Sequence, residues 1–266
     1  LPGEYKMPDP KGYDLVKWKH IYAKWDSAFT EKGWGTVYLA NHDQPRMLTR
    51  WGNDAPEFRE YSSKMLTTFL LSMRGTTYYY YGDEIGMNNI KFDRVEQYND
   101  VELLTNYAQV KAKGGDLKRF LEGMKISSRD NGRTPMQWDS TLNAGFSTGK
   151  PWLPVNANYK DINVIREEQN PNSILNYFRK MNKLRKESKL LIYGRFTLVD
   201  ANNPDVFAYT REWKGKKWLV LLNFRAKEVQ TQTGIKLDGA KVLIGNYSTP
   251  SVNGSLKPYE AIIFEL

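Results

Sequence analysis

Cysteine is absent from this chain of 266 residues, and histidine occurs only twice. The lack of cysteine excludes disulfide bonds, thiol catalysis and cysteine-ligated metals. Because His20 and His42 are far apart in the sequence, the common zinc-binding patterns are also excluded. The sequence contains no phosphate-binding glycine loop and no G-x-S-x-G serine motif. It has no apolar run of about 18 residues, so no transmembrane helix is expected.

The composition is that of a soluble globular protein with a basic balance. Hydrophobic residues make up 40% and charged residues 26% of the chain, and the net charge is +9. The lysines are scattered and no nucleic-acid motif accompanies them, so we interpret the charge as a solvated surface. Aromatic residues reach 14%, which fits a large core and would also suit a surface that stacks on sugar rings. Cytosolic and periplasmic locations both stay open.

The first part of the chain has the pattern of two β/α units. Apolar residues at helical spacing predict helices over 15–32 and 57–73, and β-branched and aromatic runs predict strands over 35–41 and 76–81. The connections have the length that parallel β/α units use. Because two strands cannot form a parallel sheet that is buried on both faces, we expect these units to be the end of something larger.

The central region combines helices with a long irregular segment. Helices are predicted over 95–113 and 115–125, followed by a loop-like segment up to residue 170. A loop of this length in a compact domain is usually functional. A further amphipathic helix is predicted over 173–187, with Ser173 as its N-cap.

After Gly194 the hydrophobic period changes from helical to alternating, and short turns between the segments indicate antiparallel pairing. The sequence therefore predicts an α/β region over residues 1–189 and an all-β, antiparallel domain over residues 190–266. The predicted strands are FTLVD, VFAYTREW, KWLVLLNF, VQTQT, AKVLIGNY and AIIFEL.

Polar side chains follow the first predicted strand in the stretch ANHDQPR, residues 40–46. Active sites of β/α barrels lie at the carboxyl ends of the strands, and Asn41, His42 and Asp43 occupy such a position. A carboxylate there can accept hydrogen bonds from hydroxyls, and a neutral imidazole can donate one. The alternative is an ordinary polar loop in which Asp43 caps a helix.

Two further polar stretches are candidates for chemistry. In SRDNGRTPMQWD, residues 128–139, Arg129 and Arg133 suit carboxylates or vicinal hydroxyls, and the alternative is a loop pinned by internal salt bridges. Asp83 and Glu84 follow the second predicted strand. Because adjacent side chains usually point apart, we favour structural anchoring over acid/base catalysis for this pair.

In this order, the stretches resemble the C-terminal half of an α-glucosidase of the α-amylase superfamily, in the group of oligo-1,6-glucosidases and sucrose isomerases. The resemblance implies the seventh and eighth strands of a (β/α)8 TIM barrel, with their helices, followed by a C-terminal antiparallel β-sandwich domain. The matching text is NHDQPRMLTRWGND, KMLTTFLLSMRGTTYYYYGDEIGMNN, SSRDNGRTPMQWD, NAGFSTGKPW and NPNSILNYFRKMNKLRK.

The family cleaves α-glucosidic bonds of short oligosaccharides with retention, through a covalent glycosyl-enzyme. The resemblance implies that Asp43 is the third carboxylate, which stabilises the transition state, and that His42 lies beside it in the pocket for the non-reducing glucose. It implies that Arg129 and Arg133 reach the same pocket and that Gln44 faces the neighbouring subsite. On this interpretation the imidazole, carboxylate, amide and guanidinium of ANHDQPR all grip one sugar ring.

The nucleophilic aspartate and the acid/base glutamate of this family belong to its fourth and fifth strands, and no stretch here resembles either motif. The family's calcium loop is also absent, so no cofactor is expected within this chain. We expect the isolated chain to be inactive, because loss of either missing group costs orders of magnitude in rate. The expected partners are a small oligosaccharide and the missing N-terminal part of the barrel, with no nucleic acid and no membrane.

Two alternatives stay open. A sucrose isomerase or trehalulose synthase would share the chemistry, but its arginine-rich stretch is not found in LPGEYKMPDPKGYDLVKWK, which favours hydrolysis. A non-catalytic interaction module, like the glucosidase-like heavy chains of amino-acid transporters, would need a membrane anchor. Such a module would also have no reason to retain His42, Asp43 and Arg129.

Overall fold

Two parallel β/α units form the first part of the structure, a computed structural model that describes residues 13–266. β1 and β2 are paired in parallel, with Thr36 opposite Thr76. The predicted helices over 15–32 and 57–73 and the parallel arrangement are confirmed. The elements are α1 (Leu15–Lys32), β1 (Thr36–Val37), α2 (Met47–Trp51), α3 (Pro56–Ser72) and β2 (Thr76–Thr77).

Both strands are much shorter than the predicted ranges 35–41 and 76–81, since each has two residues. Strand propensity alone does not make a ladder, because every strand residue needs a hydrogen-bonding neighbour. Among the described residues β1 and β2 pair only with each other. A backbone bond from the Tyr78 amide to the Val37 carbonyl, at 2.8 Å, lies at the end of the pair. Beyond it both chains continue as irregular backbone.

One face of α1 is buried and another is open. The Asp14 side chain caps the first turn, and Trp18 and Tyr22 pack against the main core. Ile21 and Trp25, which the helical pattern places on the apolar face, are instead 54% and 56% exposed. The predicted helix is confirmed, and these two side chains lie on a side of it that the described part of the chain leaves uncovered.

At the centre of the main core lies α3, in which every residue from Ser62 to Ser72 is buried. Met65 and Phe69 belong to a cluster that also contains residues of α1, β1 and the C-terminal strands. Hydrogen bonds allow polar residues to be buried in this helix at little cost. Three of its hydroxyls pair with tyrosine hydroxyls, namely Thr67 with Tyr79, Thr68 with Tyr177, and Ser72 with Tyr209.

Two buried arginines bind the carbonyl groups at the C-terminus of α3. The last carbonyls of a helix have no intrahelical partner, so cationic donors there satisfy them and complement the helix dipole. Arg211 comes from the β domain, so its bond to the Ser72 carbonyl ties that domain to α3. Arg185 donates to the carbonyls of Leu71 at 2.9 Å, Met73 at 2.7 Å and Gly75 at 2.5 Å.

The central region begins with a 3-10 turn over Val95–Gln97 rather than with the predicted helix over 95–113. Asp100 caps the helix that follows, so the helical part starts after it. The helix predicted over 115–125 begins two residues later, after its own cap Asp116. The capped helix over 173–187 is confirmed. The helices are α4 (Val101–Ala112), α5 (Leu117–Ser127), α6 (Val164–Gln169), α7 (Ile174–Glu187) and α8 (Lys189–Tyr193).

The C-terminal region is antiparallel, as predicted. Its five-stranded sheet has the order β3-β4-β5-β9-β7, and a two-stranded sheet pairs β6 with β8. One face of the large sheet packs on the core around α3, and the other covers a second cluster that includes Val206 and Leu219. The sequence missed β8, and the segment VQTQT contributes only two strand residues. The strands are β3 (Arg195–Val199), β4 (Val206–Trp213), β5 (Lys216–Asn223), β6 (Val229–Gln230), β7 (Lys241–Gly245), β8 (Ser255–Leu256) and β9 (Ala261–Glu265).

Candidate functional site

The loop after β1 is shaped by the side chain and carbonyl of Asn41. The Asn41 Oδ1 accepts a bond from the Asp43 amide at 2.8 Å, and its carbonyl accepts one from the Gln44 amide at 3.1 Å. An asparagine that bonds to the backbone two residues on makes a tight turn at the end of a strand. The turn presents the side chains of His42 and Asp43 to solvent, beyond the carboxyl end of β1.

Three charged or polar side chains converge on the carboxylate of Asp43. Its Oδ1 lies 3.0 Å from Arg133 Nη2 and 3.4 Å from Arg129 Nη1, and its Oδ2 lies 3.3 Å from His42 Nε2. Because the Asp43 side chain is 51% exposed, solvent screens these contacts. The cluster therefore orients an accessible carboxylate, whose remaining acceptor positions can take hydrogen bonds from a ligand.

Gln44 lies beside this cluster and has a different partner. Its Oε1 accepts a hydrogen bond from Arg50 Nη1, and the Arg50 guanidinium lies over the Trp51 ring, 4.5 Å from the centroid. With its oxygen engaged, the side-chain amide of Gln44 offers its NH2 group as a donor. The structure thus brings four of the five predicted residues into one cluster and places Gln44 next to it.

Asp100 holds Arg129 in position, and the sequence analysis missed it. Arg129 Nε and Nη2 donate to the two oxygens of Asp100, both at 2.7 Å, in the bidentate geometry that fixes a guanidinium. Burial of Asp100 acts to raise the pKa of its carboxyl, but the bonds from Arg129 outweigh burial and hold that pKa below its ordinary value. The sequence contained one signal for Asp100: an aspartate is a common helix N-cap, and this one lies inside the range 95–113 that was predicted as a continuous helix.

The loop that carries both arginines is a 3-10 turn over Arg129–Arg133, capped by Ser128. The buried Asp130 accepts bonds from the backbone amides of Asn99 at 2.7 Å and Asp100 at 3.0 Å. Within the loop, Arg133 Nη1 also lies 3.7 Å from Asp130 Oδ1. The alternative of a loop pinned by internal salt bridges is therefore correct in part, and both arginines also reach Asp43.

Close contact between the two loops requires glycine at position 132. A Cβ atom at Gly132 would lie 2.4 Å from the Gln44 carbonyl oxygen, which no side chain can tolerate. Across the same contact, Arg133 Nε donates to the His42 carbonyl at 2.8 Å. The close packing of the two loop backbones thus fixes the distance between the arginines and Asp43.

Arg46 does not belong to the exposed cluster, although the sequence interpretation grouped it with the sugar-binding side chains. It is fully buried and donates to the carbonyls of Tyr81 at 2.6 Å, Asn131 at 3.1 Å and Thr134 at 3.1 Å. A guanidinium has five donors, and carbonyl oxygens from two other loops take most of them. Arg46 therefore joins the loops that form the cluster and is not available to a ligand.

Asp83 and Glu84 lie in a 3-10 turn after β2, between two glycines in the left-handed region, Gly82 with φ 86° and Gly86 with φ 64°. Asp83 is buried, as the anchoring interpretation predicts. Burial raises the pKa of the Asp83 carboxyl to about 7, and the nearby Arg46 charge opposes that rise.

A groove of about 470 Å³ opens beside His42, along the uncovered face of β1 and β2. No carboxylate lines it within residues 13–266. In the same range no group of three or more histidine, aspartate or glutamate side chains is arranged to hold a metal ion. No helix there is both long and apolar enough to cross a membrane. The residues that line the groove are Thr36, Tyr38, Ala40, Asn41, His42 and Tyr78–Tyr80.

Two family models together account for most of the sequence. Residues 4–194 match the model described as "Alpha amylase, catalytic domain", and residues 196–263 match "Maltogenic Amylase, C-terminal domain". The resemblance that the sequence motifs indicated is therefore confirmed.

Comparison with individual proteins indicates the same family. The chain is 43% identical to an oligo-1,6-glucosidase from Bacillus cereus, over 99% of this chain and 48% of that relative. It resembles the crystal structures of trehalose-6-phosphate hydrolase from Bacillus licheniformis, with 39% identity and a TM-score of 0.90, and of isomaltulose synthase from Klebsiella sp. LX3, with 35% identity and a TM-score of 0.89. The match to each of these two structures covers 96% of this chain and 47% of the solved chain.

The chain thus spans about half the length of the relatives that it matches. The predicted fold class is confirmed as the last part of a (β/α)8 barrel followed by an antiparallel β domain.

Proposed function

This chain belongs to the alpha-amylase catalytic-domain family, and we propose that it contributes one of the catalytic carboxylates of a retaining α-glucosidase. The observation that carries the proposal is the position of Asp43, at the carboxyl end of a barrel strand and in contact with Arg129, Arg133 and His42. A solvent-exposed carboxylate fixed by two guanidiniums is suited to bind vicinal sugar hydroxyls. Its negative charge also favours the oxocarbenium-like transition state of glycoside hydrolysis.

The neighbouring residues have distinct proposed roles. His42 donates a hydrogen bond to a sugar oxygen in the same subsite, and Arg129 and Arg133 fix the orientation of Asp43. The NH2 group of Gln44, oriented by Arg50, faces an oxygen of the leaving sugar. Asp100 is a positioning residue, because it acts on the substrate only through Arg129.

Two further groups that the proposed reaction requires are not supplied by this chain. A retaining glycosidase needs a nucleophilic carboxylate and a general acid flanking the scissile bond. No carboxylate lines the groove beside His42 in the described residues. We therefore assign the nucleophile and the acid to a segment or partner outside these 266 residues, and we expect the isolated chain to release no glucose.

The names of the relatives support short α-glucosides as the substrate class. The Bacillus cereus relative at 43% identity is an oligo-1,6-glucosidase, which favours hydrolysis of α-1,6 bonds. The similarity to an isomaltulose synthase keeps sucrose isomerisation as the second candidate. Hydrolysis stays preferred because the sequence before the NHD stretch lacks the arginine cluster of the isomerases.

A chimera provides the test. The part of the Bacillus cereus relative that precedes its matched region is joined to residue 1 of this chain, and the product is incubated with isomaltose, maltose and sucrose. We expect glucose release from isomaltose by the chimera and none by the 266-residue chain alone. Conversion of sucrose to an isomer without net hydrolysis would favour the second candidate. A chimera that is folded and inactive on all three sugars would contradict the proposal.

A further inference from the structure

A buried carboxylate contacts the arginines of the Asp43 cluster from the interior of the protein. The Asp130 side chain is fully buried, and its Oδ2 accepts hydrogen bonds from the backbone amides of Asn99 at 2.7 Å and Asp100 at 3.0 Å. Its Oδ1 is buried as well and has no hydrogen-bond partner among residues 13–266. Because a buried carboxylate oxygen without a partner is costly, its position calls for a functional explanation.

Arg133 supplies the cation that faces this oxygen. Arg133 Nη1 lies 3.7 Å from Asp130 Oδ1, which is within ion-pair distance and too far for a hydrogen bond. The other two guanidinium nitrogens contact the loop after β1, since Nη2 lies 3.0 Å from Asp43 Oδ1 and Nε donates to the His42 carbonyl at 2.8 Å. The guanidinium of Arg133 thus lies between two carboxylates, one buried and one exposed.

Arg129 has the same arrangement with a different aspartate. Its Nε and Nη2 donate to the buried Asp100, while its Nη1 lies 3.4 Å from Asp43 Oδ1. Asp130 links the two arrangements, because it also accepts the backbone amide of Asp100. Glu102 Oε2 lies 3.5 Å from Arg129 Nη2, but its side chain is 72% exposed, so solvent screens this contact. Each arginine that reaches Asp43 therefore has an aspartate of its own among its interior contacts.

The charges in the cluster show what these interior contacts achieve. The guanidiniums of Arg129 and Arg133 by themselves would more than offset the single charge of Asp43. With Asp100 and Asp130 included, three aspartates face two guanidiniums, and one negative charge is left unbalanced. A carboxylate that stabilises a positive, oxocarbenium-like transition state has to present such a charge.

We propose that Asp130 is a positioning residue for the proposed reaction: it holds Arg133 and offsets its charge, so that the arginines orient Asp43 without neutralising it. The inference rests on the proposed function, because it assigns Asp43 the role given there. Since Asp130 is fully buried, it acts through Arg133 and through the backbone of Asp100 rather than on the sugar.

Asp130→Asn in the chimera tests the role of the charge. The asparagine oxygen can still accept the two backbone amides, but the side chain no longer presents a charge to Arg133. We expect kcat for isomaltose to fall by about 10-fold and KM to stay within about 3-fold, because the uncharged substrate depends less on this charge than the transition state does. Asp161→Asn removes an exposed aspartate that pairs with Arg166, and as the matched control it should change neither constant.

Inhibition by a charged and a neutral ligand separates the effect of charge from that of shape. A protonated iminosugar such as deoxynojirimycin carries a positive charge like that of the transition state, and glucose carries none. We expect Asp130→Asn to raise the inhibition constant of deoxynojirimycin by about 10-fold and that of glucose by less than about 2-fold. Equal changes for the two inhibitors would overturn the proposal, since Asp130 would then act only on the shape of the site.

A second variant keeps the inference testable if Asp130→Asn alone does not fold. Arg133→Gln removes the cation that faces Asp130 and should lower the melting temperature of the chimera, because a buried carboxylate that has lost its cation is destabilising. Addition of Asp130→Asn in this background should restore part of the loss. A double variant that is no more stable than Arg133→Gln, or that does not fold, would contradict the pairing of the two side chains.

The outcomes distinguish this inference from the proposed function. A folded, unsubstituted chimera that releases no glucose would contradict the proposed function, and the melting temperatures would still test the pairing of Asp130 with Arg133. An active chimera in which Asp130→Asn leaves kcat and the inhibition by deoxynojirimycin unchanged would contradict only the role of Asp130.

Discussion

The guanidinium of Arg133 contacts two consecutive residues of the loop after β1: its Nη2 lies 3.0 Å from Asp43 Oδ1, and its Nε donates to the His42 carbonyl at 2.8 Å. One side chain thereby fixes both the carboxylate and the backbone that carries it. Arg129 contacts the same Asp43 oxygen from a bidentate pair with Asp100. We predict that Asp43 depends on Arg133 for its position more directly than on any other side chain.

Arg133→Lys is the substitution that tests this dependence. An ammonium cannot make both contacts of the planar guanidinium, so we expect kcat/KM of the chimera for isomaltose to fall by about 10- to 100-fold. Arg166→Lys is the matched control, because Arg166 is an exposed arginine paired with Asp161 on the surface. Steady-state kinetics of the three proteins decide the point, and wild-type kinetics in Arg133→Lys would show that the contact is dispensable.

The buried carboxyl of Asp83 predicts a dependence of stability on pH. Its pKa is raised to about 7 in the folded protein from an ordinary value of 3.8. The folded state therefore binds more protons than the unfolded state between these values, so this group's contribution to stability is full below about pH 4 and is lost as pH rises through 7. Each unit of difference corresponds to about 1.4 kcal/mol.

Asp83→Asn should flatten that dependence, because the amide carries no charge at any pH. We expect the variant to be more stable than the wild-type chain at pH 8 and to lose this advantage at pH 4. Urea unfolding at both values measures the difference. The same gain in stability at pH 4 and pH 8 would show that the Asp83 charge is not the cause.

Removal of the Arg185 side chain, which lies on α7 and donates to carbonyls at the C-terminus of α3, should have a large effect on stability. Arg185→Ala leaves the buried carbonyls of Leu71, Met73 and Gly75 without donors. We expect the free energy of unfolding to fall by about 3 kcal/mol or more. Arg179→Ala, on α7 like Arg185, removes exposed contacts with Glu168 and Asn176 and should cost about 0–1 kcal/mol. Similar losses in the two variants would contradict the role of Arg185.

Local signals in the sequence were sufficient for the long helices α1, α3 and α7, whereas the short helices α2, α6 and α8 were not predicted. The cap at Ser173 and the apolar period define α7, and α1 follows its pattern to within a residue. The strands of the barrel could not be placed in the same way, because the length of β1 and β2 depends on partners along their edges. The exposed Ile21 and Trp25 have the same cause: a helical pattern shows which face is apolar, but not what covers it.

The sequence predicted only part of the candidate site, because a local motif does not show the contacts that its side chains make with distant parts of the chain. Asp43 and the arginines at 129 and 133 stand in motifs whose order in the chain is informative, and the structure brings them together. Arg46 and Asp100 were misplaced or missed. A guanidinium or carboxylate in a polar motif can face a ligand or a backbone carbonyl, and only burial and long-range contacts distinguish the two.

The most direct test of the central claim is the activity of Asp43→Asn in the chimera, measured on isomaltose beside the unsubstituted chimera. We expect a loss of about a thousand-fold or more in kcat with an unchanged melting temperature, because the amide preserves shape but removes the charge that stabilises the transition state. Retention of activity within a few-fold by a folded Asp43→Asn chimera would contradict the assignment of Asp43 as a catalytic carboxylate.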